Sequence, residues 1–299
     1  MKIASVPPPA RSARRRFLIG AGLGALALPG VGGCASAGAQ AWPFEVRLGG
    51  DTLALLGEVH DNPLHHGARA TVLRRALQAG WRPAFAMEQF DVERQADIER
   101  SRRERPHDAQ HLIEQAAAPR SGWEWPHYRP FIELALQFEL PLLAANLPRA
   151  QAMRLAREGH AAVLGEARTH ALGLHRPLDP ALQAAHEEAI GASHCGALPP
   201  NLWPGMARAQ AARDALMAHT LAQQAARGAV LIAGNGHVRR DVGVPRWLHG
   251  VPAGQVLAVG FIEEGTEVAP GQFDAVVVTA AAKRDDPCAA WRARRAPVR

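Results

Sequence analysis

Six short apolar runs punctuate the chain, at 52–56, 83–87, 140–144, 229–233, 255–261 and 274–279. They are unbroken rather than alternating, which is the pattern of strands covered on both faces. Between them, apolar residues recur at helical spacing over about 64–79, 91–117 in two pieces, 127–139, 148–159, 179–191 and 204–227. Strands separated by helices predict an α/β fold, with a mostly parallel central sheet flanked by helices. The stretch around 91–225 is unusually helical and is expected to form a helical cap or insert, interrupted by the strand near 140–144. No long linker, repeat or low-complexity block breaks 45–281, so it reads as a single domain. An Ala/Gly/Ser tether at 34–44 precedes it, and a basic tail at 282–299 that reads as disordered follows it.

In an open parallel sheet, ligands bind outside the carboxyl ends of the strands. The first run is followed by Gly57-Glu58-Val59-His60-Asp61-Asn62 and the second by Glu88-Gln89-Phe90-Asp91. The third is followed by Asn146-Leu147-Pro148-Arg149, and the fourth by Gly234-Asn235-Gly236-His237 with Arg239 and Arg240 close behind. Four strand ends therefore place polar, mostly ionisable residues at one edge, and two of them share the form Gly-x-x-His. Glycine lets the chain turn sharply off a strand, so a histidine three residues later can point back over the strand ends.

Glu58, His60, Glu88 and His237 make a set of two carboxylates and two imidazoles. Such a set suits Zn, Mn or Fe, or acid–base chemistry without a metal. The plainer alternative for each histidine alone is a helix cap bonded to backbone. Asn146, Asn235 and Arg239 stand beside the set as further ligand-binding candidates. His194 lies in a Gly/Pro-rich loop, 191–205, that could close over the site. Tyr128 is the only tyrosine, and its helical face carries Phe131, Ile132, Ala135 and Phe138, which favours a core position. Met206, Gln210, Arg213 and Met217 share one helical stripe; a Gln and an Arg there are unusual for simple core, so Arg213 joins the candidates. His65 and His66 read as surface residues. There is no Gly-x-Gly-x-x-Gly, Walker loop or Gly-x-Ser-x-Gly elbow, which disfavours a nucleotide enzyme or a common serine hydrolase.

The formal charge of +6 changes this picture less than it first suggests. Residues 1–33 hold five basic residues and no acid, and 282–299 carry a net +4, which leaves 34–281 at −3. A basic nucleic-acid groove is not expected in such a body. The amino-terminal charge belongs to an address instead. Arg14-Arg15-x-Phe17-Leu18 has the form of a twin-arginine signal, and Val31-Gly32-Gly33-Cys34 resembles a lipobox. The apolar run 17–33 contains six Gly and a Pro, a poor composition for a spanning helix. The expectation is a signal peptide at 1–33, lipidation at Cys34 and a membrane-anchored lipoprotein facing the periplasm. Ala35 and Ser36 carry no aspartate retention signal, which favours the outer membrane. Cys195 and Cys288 then remain, and pairing between them is left open.

Leu55-Leu56-Gly57-Glu58-Val59-His60-Asp61, Ala86-Met87-Glu88-Gln89-Phe90 and Ala145-Asn146-Leu147-Pro148-Arg149 resemble motifs of the ChaN family of haem-binding lipoproteins. So do the Ala209-Gln210, Arg213-Asp214 and Met217-Ala218 pairs and the run Ile232-Ala233-Gly234-Asn235-Gly236-His237-Val238-Arg239, in the family's order over roughly 50–250. The resemblance implies an iron- or haem-uptake lipoprotein whose ligand is haem, with a homodimer enclosing paired haems as a possible assembly. Tyrosine ligation of haem iron is associated with the family, and Tyr128 is the one tyrosine on offer. Failing it, His60, His194 or His237 would serve. The wider superfamily includes erythromycin esterases, Tiki proteases and TraB-like proteins. Through them Glu58, His60, Glu88 and His237 form a shared site, and a hydrolase is the alternative. Glu58 or Glu88 would then act as base, His60 and His237 would hold a divalent metal or activate water, and Arg239 would steady an anionic intermediate.

Overall fold

The structure is a computed structural model that describes residues 42–119, 121–286, 288 and 289. The expected signal peptide, the expected lipidation site Cys34 and most of the expected tether lie outside the described residues. Among those described, no helix is long and apolar enough to cross a membrane.

Six strands form one sheet: β1 (Leu53–Leu56), β2 (Ala84–Asp91), β3 (Leu142–Asn146), β4 (Ala229–Ile232), β5 (Val256–Glu263) and β6 (Ala275–Thr279). The order is β3-β2-β4-β1-β5-β6 and every pairing is parallel. The helices are α1 (Pro63–Gln78), α2 (Gln95–Glu104), α3 (Ala109–Ala116), α4 (Trp125–Gln137), α5 (Arg149–Glu158), α6 (His160–Leu164), α7 (Glu166–Ala171), α8 (Pro180–Ser193), α9 (Trp203–Ala222) and the single turn α10 (Asn235–Val238). All six apolar runs are strands, displaced by no more than a few residues at their ends.

The unbroken apolar pattern has a direct cause, because each central strand is buried on both faces. Ala54, Leu56, Phe85 and Met87 pack on one face with Val72, Leu73, Phe131 and Ile132 of α1 and α4. Leu53, Leu55, Ala84 and Ala86 pack on the other with Met217, Ala218 and Leu221 of α9. The helical stretch 91–225 is thus divided by the sheet. The elements α2 to α4 follow the first face and α9 the second. An outer layer of α5 and α8 stacks on α9, with Leu155, Leu172 and Leu216 in a separate apolar cluster.

The carboxyl-terminal segment, read from sequence as disordered tail, is fastened to the domain where it is described. Arg284 donates to Asp61 at 2.7 Å and to Glu263 at 2.6 Å. Cys288 is disulfide-bonded to Cys195, with Cα atoms 5.5 Å apart, which settles the open pairing.

Candidate functional site

Parallel order brings the ends of β1, β2 and β4 side by side, so Glu58, His60, Glu88 and His237 share one edge of the sheet. They divide into two clusters, and not one metal-holding set. Among the described residues no group of three or more His, Cys, Asp or Glu side chains is arranged to hold a metal ion.

The first cluster is built around Glu58, which is fully buried. Tyr128 donates its hydroxyl to Glu58 Oε1 at 2.7 Å, and Arg69 pairs with Oε2. Arg69, also fully buried, donates to the Leu56 carbonyl at 3.0 Å and to His66 Nδ1 at 3.0 Å, and lies over the Phe131 ring. His66 Nε2 in turn donates to the His60 carbonyl at 2.9 Å. Burial holds His66 well below the usual range, at about 4, so it is neutral. His60 Nδ1 donates to Glu58 Oε1 at 2.9 Å. Its side chain is 50% exposed, and Nε2 carries no hydrogen bond to any described residue. His60, Trp123 and Tyr128 line a cavity of about 290 Å³, with the Trp123 ring edge-on to His60 at 5.0 Å.

The second cluster encloses its histidine. His237 Nδ1 donates to Asp214 Oδ1 at 2.5 Å, and Nε2 faces Glu88 Oε1 at 3.3 Å. Glu88 Oε2 accepts the Gly234 amide at 2.8 Å. Burial alone would push the His237 imidazolium down, but the two carboxylates outweigh it and raise it to about 10. Burial likewise opposes ionisation of Glu88, yet chiefly His237 holds it down at about 2. Asp214 is pushed up to about 6 by burial, which His237 only partly offsets. At neutral pH His237 is therefore a protonated ring with neither nitrogen open to a ligand.

The two Gly-x-x-His segments interlock. Neither Gly57 nor Gly234 has a positive φ, so a special backbone conformation is not what they supply. A side chain at Gly57 would collide with Asn235 and Val238, and a Cβ at Gly234 would sit 2.8 Å from His60 Cε1. Each glycine makes room for the other segment, and the Asn235 amide donates to the Glu58 carbonyl at 2.9 Å. The sequence reading of a sharp turn is replaced by one of close approach.

Several expected residues are occupied elsewhere. Asn235 donates to the Phe261 carbonyl at 2.6 Å and ties the β4 end to β5. The Asn146 side chain accepts from the Leu147 amide at 2.9 Å. Arg239 is paired with Asp241 at 2.5 Å, so it faces its own loop. His194 is exposed and its Nδ1 lies 2.8 Å from the Ile190 carbonyl of its own helix. Tyr128 is buried as core packing predicted, and it also reaches the site. Arg213 lines a groove beside the second cluster.

His65 and His66 are corrections: both are buried, because the first turn of α1 lies against the loop leaving β1. His65 Nδ1 accepts the Val59 amide at 3.0 Å. Three members of the site were missed, namely Arg69, His66 and Asp214. A faint signal existed, since His66 and Arg69 are one helical turn apart after the Asn62 cap, and Asp214 is a lone acid within an Ala-rich helix.

Comparison with known proteins follows the same strip of sequence. A family model described as haem-binding uptake, Tiki superfamily, ChaN matches residues 47–248. No curated protein is detectably similar to the chain in sequence. Among solved structures, ChaN of Campylobacter jejuni with cofacial haem bound is similar with a TM-score of 0.59 and 19% identity, over 77% of this chain and 87% of that one. That likeness concerns the fold. An erythromycin esterase mutant in its open conformation aligns with a TM-score of 0.42 and 14% identity, over 82% of this chain and 81% of that one.

Proposed function

The chain belongs to the ChaN family of haem-binding uptake proteins in the Tiki superfamily, and from that premise we propose that it binds haem at the strand-end edge with His60 as the iron ligand. One observation carries this reading. His60 is the exposed histidine of the site, its Nε2 without a hydrogen bond to any described residue, while its other nitrogen is held by a buried carboxylate. A histidine oriented through its far nitrogen by a carboxylate is the arrangement that fixes the tautomer and strengthens a metal ligand.

The other candidates are ruled out on local chemistry. Burial raises the Tyr128 phenol far above its ordinary range, and its proton is committed to Glu58, so a tyrosinate is disfavoured. His237 is protonated between two acids, and His194 lies apart from the cavity lining. When bound, haem would supply an iron centre open to redox and axial-ligand chemistry. The protein's part is to present His60 Nε2, to keep water from Glu58 and to cover the ring edge with Trp123. The cavity, about 290 Å³, is at the small end for a ligand pocket, so a second copy of the chain would be expected to complete a haem site.

Within the same reading the protein is exported and lipid-anchored through Cys34 at the outer membrane, in the service of haem or iron uptake. The test is a haem titration of the full chain. A Soret shift that His60→Ala abolishes supports the reading, and a wild-type spectrum unchanged at micromolar haem overturns it. A hydrolase remains the second reading, because a histidine held by a buried carboxylate is also a general base. It expects ester or peptide turnover lost in both Glu58→Gln and His60→Ala, without a divalent metal.

A further inference from the structure

Beside the second cluster, α5 and α9 pack together and leave a groove of about 890 Å³ between them, three times the volume of the His60 cavity. Their close approach is set by Gly205, where a Cβ would collide with the Ala156 carbonyl, and by Arg208, which donates to that same carbonyl at 2.8 Å. Four arginines line the groove (Arg149, Arg157, Arg208 and Arg213) and no carboxylate does. None of the four is in an ion pair within 4 Å among the described residues. Arg213 acts electrostatically on Asp91 and on Asp214, and Asp214 is committed to His237. The walls are apolar. Met153 and Leu202, exposed at 52% and 47%, are two of the few large hydrophobic side chains that the domain leaves open to solvent.

A surface that concentrates unpaired cations around uncovered apolar side chains is complementary to one ligand chemistry. We propose that this groove is a second binding site, for an amphipathic carboxylate whose apolar body lies along Met153 and Leu202 and whose carboxylate pairs with Arg149 and Arg213. Arg149 opens α5 directly after β3, and Arg213 lies one helical turn beyond Gln210, which both lines the groove and lies 3.2 Å from His237 Nδ1 at the strand edge. Guanidinium forks suit a carboxylate, and the groove volume falls within the range that encloses a small ligand. An extended fatty acid and a flat tetrapyrrole dicarboxylate share this chemistry.

The experiment separates these sources and does not depend on iron ligation. The full chain, wild type and Arg149→Ala/Arg213→Ala, is titrated by equilibrium dialysis with metal-free protoporphyrin IX and, separately, with palmitate. Binding of either by the wild type, weakened at least about tenfold in the double variant, is the expected result. The porphyrin's dimethyl ester supplies a control that leaves the protein untouched, and it is expected to bind at least about tenfold more weakly than the diacid. Neither probe binding at about 100 μM, or equal binding by variant and wild type or by ester and diacid, overturns the proposal. Because the porphyrin carries no iron, a failure here is distinct from a failure of haem ligation at His60.

Discussion

The two Gly-x-x-His segments carry the same motif to neighbouring strand ends and arrive at opposite chemistry. His60 is half exposed, bonded through Nδ1 to Glu58 and with no hydrogen bond from Nε2 to any described residue. His237 is buried between Asp214 and Glu88 and keeps its proton. The motif sets where each ring stands; what each ring can do comes from its neighbours. One segment offers a ligand nitrogen, and the other is an internal ion cluster that seats Gly234 and, through it, His60.

The sharpest way to break the contrast is to remove the enclosed ring. His237→Ala leaves two buried carboxylates facing one another, and breaking a buried ion cluster this way is expected to cost about 3–5 kcal/mol, read from urea unfolding. A loss under about 1 kcal/mol would show the cluster to be hydrated rather than buried. The same ring sets a pH limit. Its folded pKa lies above the ordinary 6.5, so its contribution to stability is complete below that value and is lost as the pH rises through about 10. The thermal midpoint of the wild type should therefore fall on the alkaline side, and that fall should be smaller in His237→Gln.

Changes around the open ring are expected to cost less. Tyr128→Phe removes one of several donors to Glu58 and should destabilise by about 1–2 kcal/mol while leaving the haem Soret band in place. Loss of that band would return the phenol to the role of iron ligand. Gly234→Ala should cost about 1 kcal/mol or less, since the half-exposed His60 ring can yield. It should nonetheless weaken haem at least about tenfold, because the ligand's support is displaced. His60→Ala has the smallest effect on folding, about 1 kcal/mol or less, together with complete loss of the haem spectrum. A variant that unfolds readily would mean that the open ring is as structural as the enclosed one.

The strands and most helices were legible in sequence, because a strand buried on both faces must be apolar throughout, and each run of the chain records its own burial. The edge at which the chemistry gathers was legible too, since parallel strands all end on one side. Glu58, His60, Glu88 and His237 were found that way. Arg69, His66 and Asp214 were not, although they supply ion pairs and hydrogen bonds to these residues. They lie on α1 and α9, on opposite faces of the sheet, and face the strand ends only after packing. The disulfide and the Arg284 clasp likewise join segments far apart in the chain. The sequence by itself therefore determined the layers and the placement of the reactive residues, because those follow from local burial and strand direction. Which histidine is open, which is charged and which arginines line a groove was decided only by tertiary structure, because proton affinity and exposure belong to the surroundings of a side chain and not to its type.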